Sequence, residues 1–327
     1  MSRDAEGSLF RTISIGSTWF WLGAFALLPW LALFLVSLLD RSEVDFFIPV
    51  LTLKNYQVLL GPVFLKVLKD SLWLAFLSTL FCLLVGYPFA YHIAKANPKW
   101  RPWLLLLVII PFWTNSLIRT YSLILMIGAQ GMVNKALLGL RLIESPLRMM
   151  YTDFAVFVGL TYTLLPFMVL PLYASIEKLD PKLVDAAKDL GAGPMRAFWH
   201  ITLPLTLPGI IAGCMLVFLP ALGMFYVPEI LGGAKNLLLG TYIKDQFLVT
   251  RNWPLGAAAS SVLTLLLAVM AVLYWLSSLR VSDKGRKGLL PGDHLHGEDG
   301  KSSSGRRRGR SAVSRDSGAV QNAGGIL

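Results

Sequence analysis

Asp180-Pro181-Lys182-Leu183-Val184-Asp185-Ala186-Ala187-Lys188-Asp189-Leu190-Gly191 stands between two long apolar runs, and it is punctuated like a short helix with defined ends. Asp180 offers a side-chain oxygen to the free amides of a first turn, and Pro181 suits the first helical position, where its missing N–H is no loss. Gly191 tolerates the left-handed conformation that stops a helix, so about ten residues should be helical. Leu183, Ala187 and Leu190 recur at helical spacing, with Lys182, Asp185 and Asp189 elsewhere around the cylinder, which predicts a helix lying along a membrane surface. After the turn from Gly191 to Pro194, a second segment runs from Met195 through Ile201 to Leu203 and Pro204 and feeds straight into the next apolar run. A DNA-binding helix-turn-helix needs a basic recognition face, which this one lacks, and no such motif is clamped between membrane-length segments, so nucleic acid is excluded as a partner.

The flanking runs belong to a set of six, at residues 19–39, 71–91, 102–127, 154–176, 205–227 and 255–279. Roughly 20 apolar residues suffice to cross a hydrocarbon layer about 30 Å thick. With 55% hydrophobic and 15% charged residues among 327, and a mean hydropathy of +0.61, the chain is too apolar for an ordinary soluble domain. The first run exceeds the length of a secretory signal core and has no clear cleavage site, so it is expected to be retained. The expectation is an all-α integral membrane domain over 19–280, with an N-terminal segment 1–18. Residues 281–327 form a basic Gly/Ser/Arg-rich tail with too little apolar surface to fold, able to lean on anionic lipid head groups.

Lys and Arg set the orientation. Nineteen of the thirty lie before the first span, in 95–101, in 178–196 and from 280 onward, against ten in 41–69, 135–148 and 235–251. Positive charge is retained inside, so the bias favours cytoplasmic termini and a cytoplasmic 177–204 loop, by a narrow margin once the six basic residues from 301 onward are set aside. The net charge of +11 therefore reads as membrane topology rather than as an affinity for nucleic acid. The thirtieth, Arg119, sits within the third span, where an ionisable group is either functional or held in a structural pair. Pro29, Gly86, Pro88, Pro111, Pro166, Pro171, Pro208 and Pro220 interrupt the spans and can free backbone carbonyls to line a cavity.

Chemistry-bearing constellations are missing. Cys82 and Cys214 lie in apolar segments without metal or redox spacing, and His92, His200, His294 and His296 form no ligand set, so no metal site is expected. A membrane enzyme would need such a constellation, and an ion-coupled transporter would carry acidic or histidine residues inside its spans and an inverted repeat. A GxxxxGK[ST] phosphate loop does not occur, so the chain itself should neither bind nor hydrolyse ATP.

Asp185-Ala186-Ala187, three residues, Gly191, nine residues, then Ile201-Thr202-Leu203-Pro204 resembles the EAA loop of ABC importer permeases, with Asp185 where that family usually has Glu. The resemblance implies six transmembrane helices of the type I importer permease architecture, in which this loop is a coupling helix docked on a separate ATPase subunit. Asp185, Ala186, Ala187, Gly191, Ile201, Leu203 and Pro204 would then form the ATPase contact, and any ATP and magnesium would belong to a partner ATPase dimer.

Longer strings narrow the family. Gly86-Tyr87-Pro88-Phe89-Ala90, Pro111-Phe112-Trp113-Thr114-Asn115-Ser116-Leu117-Ile118-Arg119, Leu165-Pro166-Phe167-Met168, residues 175–180, 208–214 and 232–237 resemble the B-type permease of spermidine/putrescine importers, from about Ser71 to Leu279. The resemblance implies a bacterial inner-membrane location, a second homologous permease, a periplasmic polyamine-binding protein and a polyamine substrate, other small organic solutes being the alternative. A polycation seeks carboxylates, carbonyls and aromatic faces. None of the nineteen acidic residues falls inside a span, so the expected path lining is Trp113, Asn115 and Tyr121 on the third span and Phe225, Tyr226 and Glu229 at the outer end of the fifth, each aromatic serving equally well as packing.

Overall fold

Hydrocarbon offers no partner for a free amide, so these apolar runs must close their backbone hydrogen bonds internally. The computed structural model describes residues 3–42, 48–233 and 236–287. Among them, six helical stretches are long and apolar enough to cross a membrane: Ile13–Ser37, Pro62–Lys95, Ser116–Gly139, Asp153–Glu177, Pro194–Gly223 and Trp253–Leu276. The elements in order are α1 (Arg3–Ser37), β1 (Leu39–Asp40), β2 (Ile48–Leu51), α2 (Lys54–Leu59), α3 (Pro62–Lys95), α4 (Arg101–Trp113), α5 (Ser116–Ile127), α6 (Met132–Gly139), α7 (Asp153–Glu177), α8 (Pro181–Asp189), α9 (Pro194–Ala197), α10 (Leu203–Gly223), α11 (Leu239–Leu248) and α12 (Trp253–Lys287). The last helix thus continues beyond residue 280, and the rest of the basic tail lies outside the described residues, as do Ala234 and Lys235.

α3, α7 and α10 pack most extensively on one another and enclose Cys82, Ala90, Leu164, Met168, Leu172 and Val217. Close approach of α7 and α10 depends on missing side chains. A Cβ on Gly209 would lie 2.3 Å from Ser175 Cβ and 2.9 Å from the Pro171 carbonyl, and one on Gly213 would lie 2.8 Å from Met168 Sδ. Small residues at such crossings let backbones meet where no hydrophobic effect drives helices together.

Two expectations fail in detail. The third span is not one helix over 102–127: it breaks at Thr114 and Asn115 into α4 and α5. Pro111 has no N–H to continue the ladder, and Asn115 starts a new helix, its Oδ1 accepting from the Leu117 amide at 2.8 Å. The fifth span ends at Gly223 rather than 227, and a separate wide turn, Pro228–Gly232, follows. A short antiparallel ribbon of β1 and β2 also stands in the otherwise helical fold, Leu39 facing Leu51. Asn55 at the start of α2 fixes it by donating to the carbonyls of Ser37 (2.9 Å) and Leu39 (2.8 Å).

Candidate functional site

The loop between α7 and α10 follows its sequence signals residue by residue. α8 spans nine residues, and the Asp180 carboxylate caps it by accepting from the Lys182 amide at 3.0 Å. Gly191 has φ +83°, the left-handed conformation in which a Cβ is strained. The Ala192 amide bonds back to the Ala187 carbonyl at 2.9 Å and the Gly191 amide to that of Lys188 at 2.8 Å, closing the end of α8. Pro194 then opens α9, which runs without a break through a widened turn at Phe198–Thr202 into α10, a continuous helical stretch from Pro194 to Gly223.

This second arm is anchored and the first is free. Ala197 and Thr202 are buried, and the Phe198 ring meets Tyr87 of α3 edge-on at 5.6 Å. The Tyr87 hydroxyl reaches Thr206 Oγ1 at 3.0 Å in the first turns of α10. α8 buries none of its residues. Asp185 and Ala186 are exposed, Ala187 is half-buried, and Gly191 is exposed at the tip; Ile201 and Leu203 are half-buried, and Pro204 is exposed at the start of α10. Asp185 pairs within α8 with Lys188 at 2.9 Å, and that hydrogen bond is the main reason the Lys188 ammonium titrates above the usual lysine range. Of the apolar stripe, Leu183 and Leu190 are 49% and 89% exposed and Ala187 is half-buried, as is Val184 beside it.

Three residues that the sequence motif does not mark join this surface. Leu190, Met195 and Trp199 are large, apolar and exposed at 89%, 68% and 57% on the same loop. Leu190 was marked by the apolar spacing of α8, whereas Met195 and Trp199 gave only a faint signal, apolar side chains ahead of the fifth run. Under Leu183, a cavity of about 620 Å³ opens between α7, α8 and α10, bounded by Pro171, Lys178, Leu205 and Gly209.

At the opposite end of α10 the predicted path residues divide. Phe225 and Tyr226 follow the helix end with rings 6.2 Å apart. Tyr226 packs against a cluster containing Leu123 and Ile127 of α5 with Val227 and Leu231, so α5 and the 225–232 segment do come together. Trp113 and Tyr121 are exposed, and Asn115 serves as the cap of α5. Glu229 is ion-paired: Lys244 Nζ lies 2.7 Å from its Oε1 and 3.1 Å from Asp245 Oδ1. The hydrogen bond that Lys244 donates to Glu229 is the leading cause that holds its ammonium above the usual lysine range.

Among the described residues Arg119 has no salt-bridge partner at membrane depth; it repairs the helix break. It is 6% exposed, and its Nη1 donates to the Pro111 carbonyl at 3.0 Å, the same oxygen that accepts from Thr114 Oγ1 at 2.7 Å. Its guanidinium stands over the Phe112 ring, 5.8 Å from the centroid. A carbonyl released by the interrupted ladder is thereby satisfied twice.

The family of binding-protein-dependent transport system inner membrane components matches residues 82–282, a region holding the whole α8–α10 loop. The chain belongs to that family. This transport permease is 52% identical over 264 residues to the spermidine/putrescine transport system permease protein PotB of Escherichia coli (strain K12), covering 81% of this chain and 96% of that one. It is 48% identical over 266 residues to the PotB protein of Haemophilus influenzae, covering 81% and 93%. A bacterial alginate ABC transporter, solved in complex with an alginate pentasaccharide-bound periplasmic protein, aligns with the permease at TM-score 0.69 and 18% identity over 85% of this chain and 97% of that chain, which establishes a common fold. The permease is thus a multi-pass inner-membrane subunit of an ABC importer and not an enzyme.

Proposed function

We propose that this permease forms, with a second homologous permease, the polyamine path of a spermidine/putrescine importer. Its α8–α9 loop and both termini face the cytoplasm, and ATP with magnesium is held by an ATPase dimer that receives the loop. A periplasmic binding protein selects the polyamine and delivers it to the far end of α10. The observation that carries the substrate is the identity, along most of both chains, to permeases named for spermidine and putrescine.

The geometry supports a lever. Asp185, Ala186, Leu190, Met195 and Trp199 offer charge, close approach and apolar anchors on a loop that buries little of itself. A push on α8 passes through the fixed turn at Gly191 into α9, and α9 has no joint before Gly223. Because α10 is locked to α7 through Gly209 and Gly213 and to α3 through Tyr87, closure of the ATPases would move these helices as one body and switch access across the membrane.

Uptake of labelled spermidine by cells carrying the complete importer tests this. Asp185→Lys and Gly191→Asp should insert normally and lose transport; unchanged uptake in both would remove the coupling role, and no uptake by the unmodified importer would remove the polyamine reading.

A further inference from the structure

A lysine side chain is a four-carbon stem ending in a primary ammonium, the same aminobutyl unit that makes up putrescine and one end of spermidine. Lys244 places that unit on two carboxylates, 2.7 Å from Glu229 and 3.1 Å from Asp245. The ammonium sits deeper than its partners: the side chains are 18% exposed for Lys244, 46% for Glu229 and 31% for Asp245. Its stem lines a cavity of about 440 Å³ whose walls include Phe225 and Phe247. The arrangement has the parts that an alkylammonium needs, a carboxylate pair beside an apolar, aromatic slot, and it is filled from within.

We propose that Glu229 and Asp245, with Phe225, form an alkylammonium-binding site that the permease occupies with its own Lys244 until a polyamine amine takes the lysine's place. The inference rests on the polyamine reading above. Exchange is like for like: one ammonium replaces another, the carboxylates are never left unpaired, and the released lysine turns to water. Ion pairs this exposed are weak enough to trade partners. A tethered competitor acts at millimolar effective concentration, so dilute free amines fail where a polyamine released at the mouth by a docked binding protein succeeds. Lys244 thereby makes entry depend on delivery.

Equilibrium binding of labelled putrescine to the assembled complex of both permeases and the ATPases, without binding protein, is the test. Lys244→Gln should bind about 10-fold tighter than the unmodified complex, as expected on removing a tethered competitor, and Lys244→Gln with Glu229→Gln should lose that gain. Lys244→Met, which keeps the apolar stem, gives the same answer if glutamine lowers the yield of complex. Binding that is unchanged or weaker in both single variants would reduce the lysine to a structural ion pair and overturn the inference. Spermidine uptake by the unmodified importer, measured in parallel, separates the two failures: normal uptake with unchanged variant binding sinks lysine exchange alone, whereas absent uptake sinks the polyamine reading and this site with it.

Discussion

Tyr87 and Thr206 join α3 to the base of α10 through hydroxyl oxygens 3.0 Å apart in a buried setting. Thr206 Oγ1 already donates to the Thr202 carbonyl at 2.9 Å, so its single proton is committed and Tyr87 is the donor between them. The pair sits just beyond the widened turn, where any movement of the loop enters the helix bundle.

Tyr87→Phe should therefore cost little, about 0.6 to 2 kcal/mol for an interhelical hydrogen bond in a membrane, because Thr206 keeps its backbone partner. Tyr87→Ala should cost clearly more by also stripping the ring that meets Phe198. Thermal inactivation of the purified complex ranks the two; equal losses would mean that the hydroxyl, and not the ring, holds the helices.

At Gly191 the strain is conformational rather than steric, since nothing lies within 4 Å of where a Cβ would stand. Gly191→Ala should weaken the turn by about 1 to 2 kcal/mol, the difference for a side chain in left-handed backbone, and reduce spermidine uptake at unchanged membrane abundance. Gly191→Asn should retain more uptake, because Asn adopts this conformation more readily. An alanine variant with full uptake would show that the turn angle is not transmitted.

The α7–α10 crossing predicts a rescue. Gly209→Ala places a methyl group against Ser175 Cβ and the Pro171 carbonyl, an overpacking that should destabilise the complex by about 1 to 3 kcal/mol. Gly209→Ala with Ser175→Gly should recover part of that loss in a thermal-shift measurement. Failure to recover any of it would place the clash on the Pro171 carbonyl instead.

Arg119→Ala removes a charged donor from the Pro111 carbonyl and should lower thermal stability by about 1.5 to 3 kcal/mol. Arg119→Lys should fall between, since an ammonium lacks the planar fork that reaches the carbonyl while lying over Phe112. Stability equal to the unmodified complex in both variants would show that Thr114 alone secures the break.

The α8 loop was legible in the sequence because its signals are local: Asp180, Pro181 and Gly191 each fix backbone within a residue or two of themselves. The six membrane runs were legible because hydrocarbon imposes one requirement on every spanning segment. The split of the third run was not, although Pro111 and Asn115 are in plain view, because proline alone kinks as readily as it breaks, and the deciding partner, Arg119, lies eight residues beyond Pro111. Pairing of Glu229 with Lys244, fifteen residues apart on two different elements, had no periodic signal at all. Leu183 and Leu190 show what spacing leaves open: it marks an apolar face, not what covers it, and their exposure leaves that face for another surface than the chain's own.

The widened turn at Phe198–Thr202 sets an azimuth. One surplus residue in a helical ladder rotates everything upstream by about 100° relative to an uninterrupted α-helix. Excising a single residue there, His200 for instance, would leave every side chain of the α8 loop chemically intact yet swing it to a different bearing beneath the bundle. The compass heading of the α8 loop is thus written in one irregular turn, separately from the chemistry of the side chains it carries.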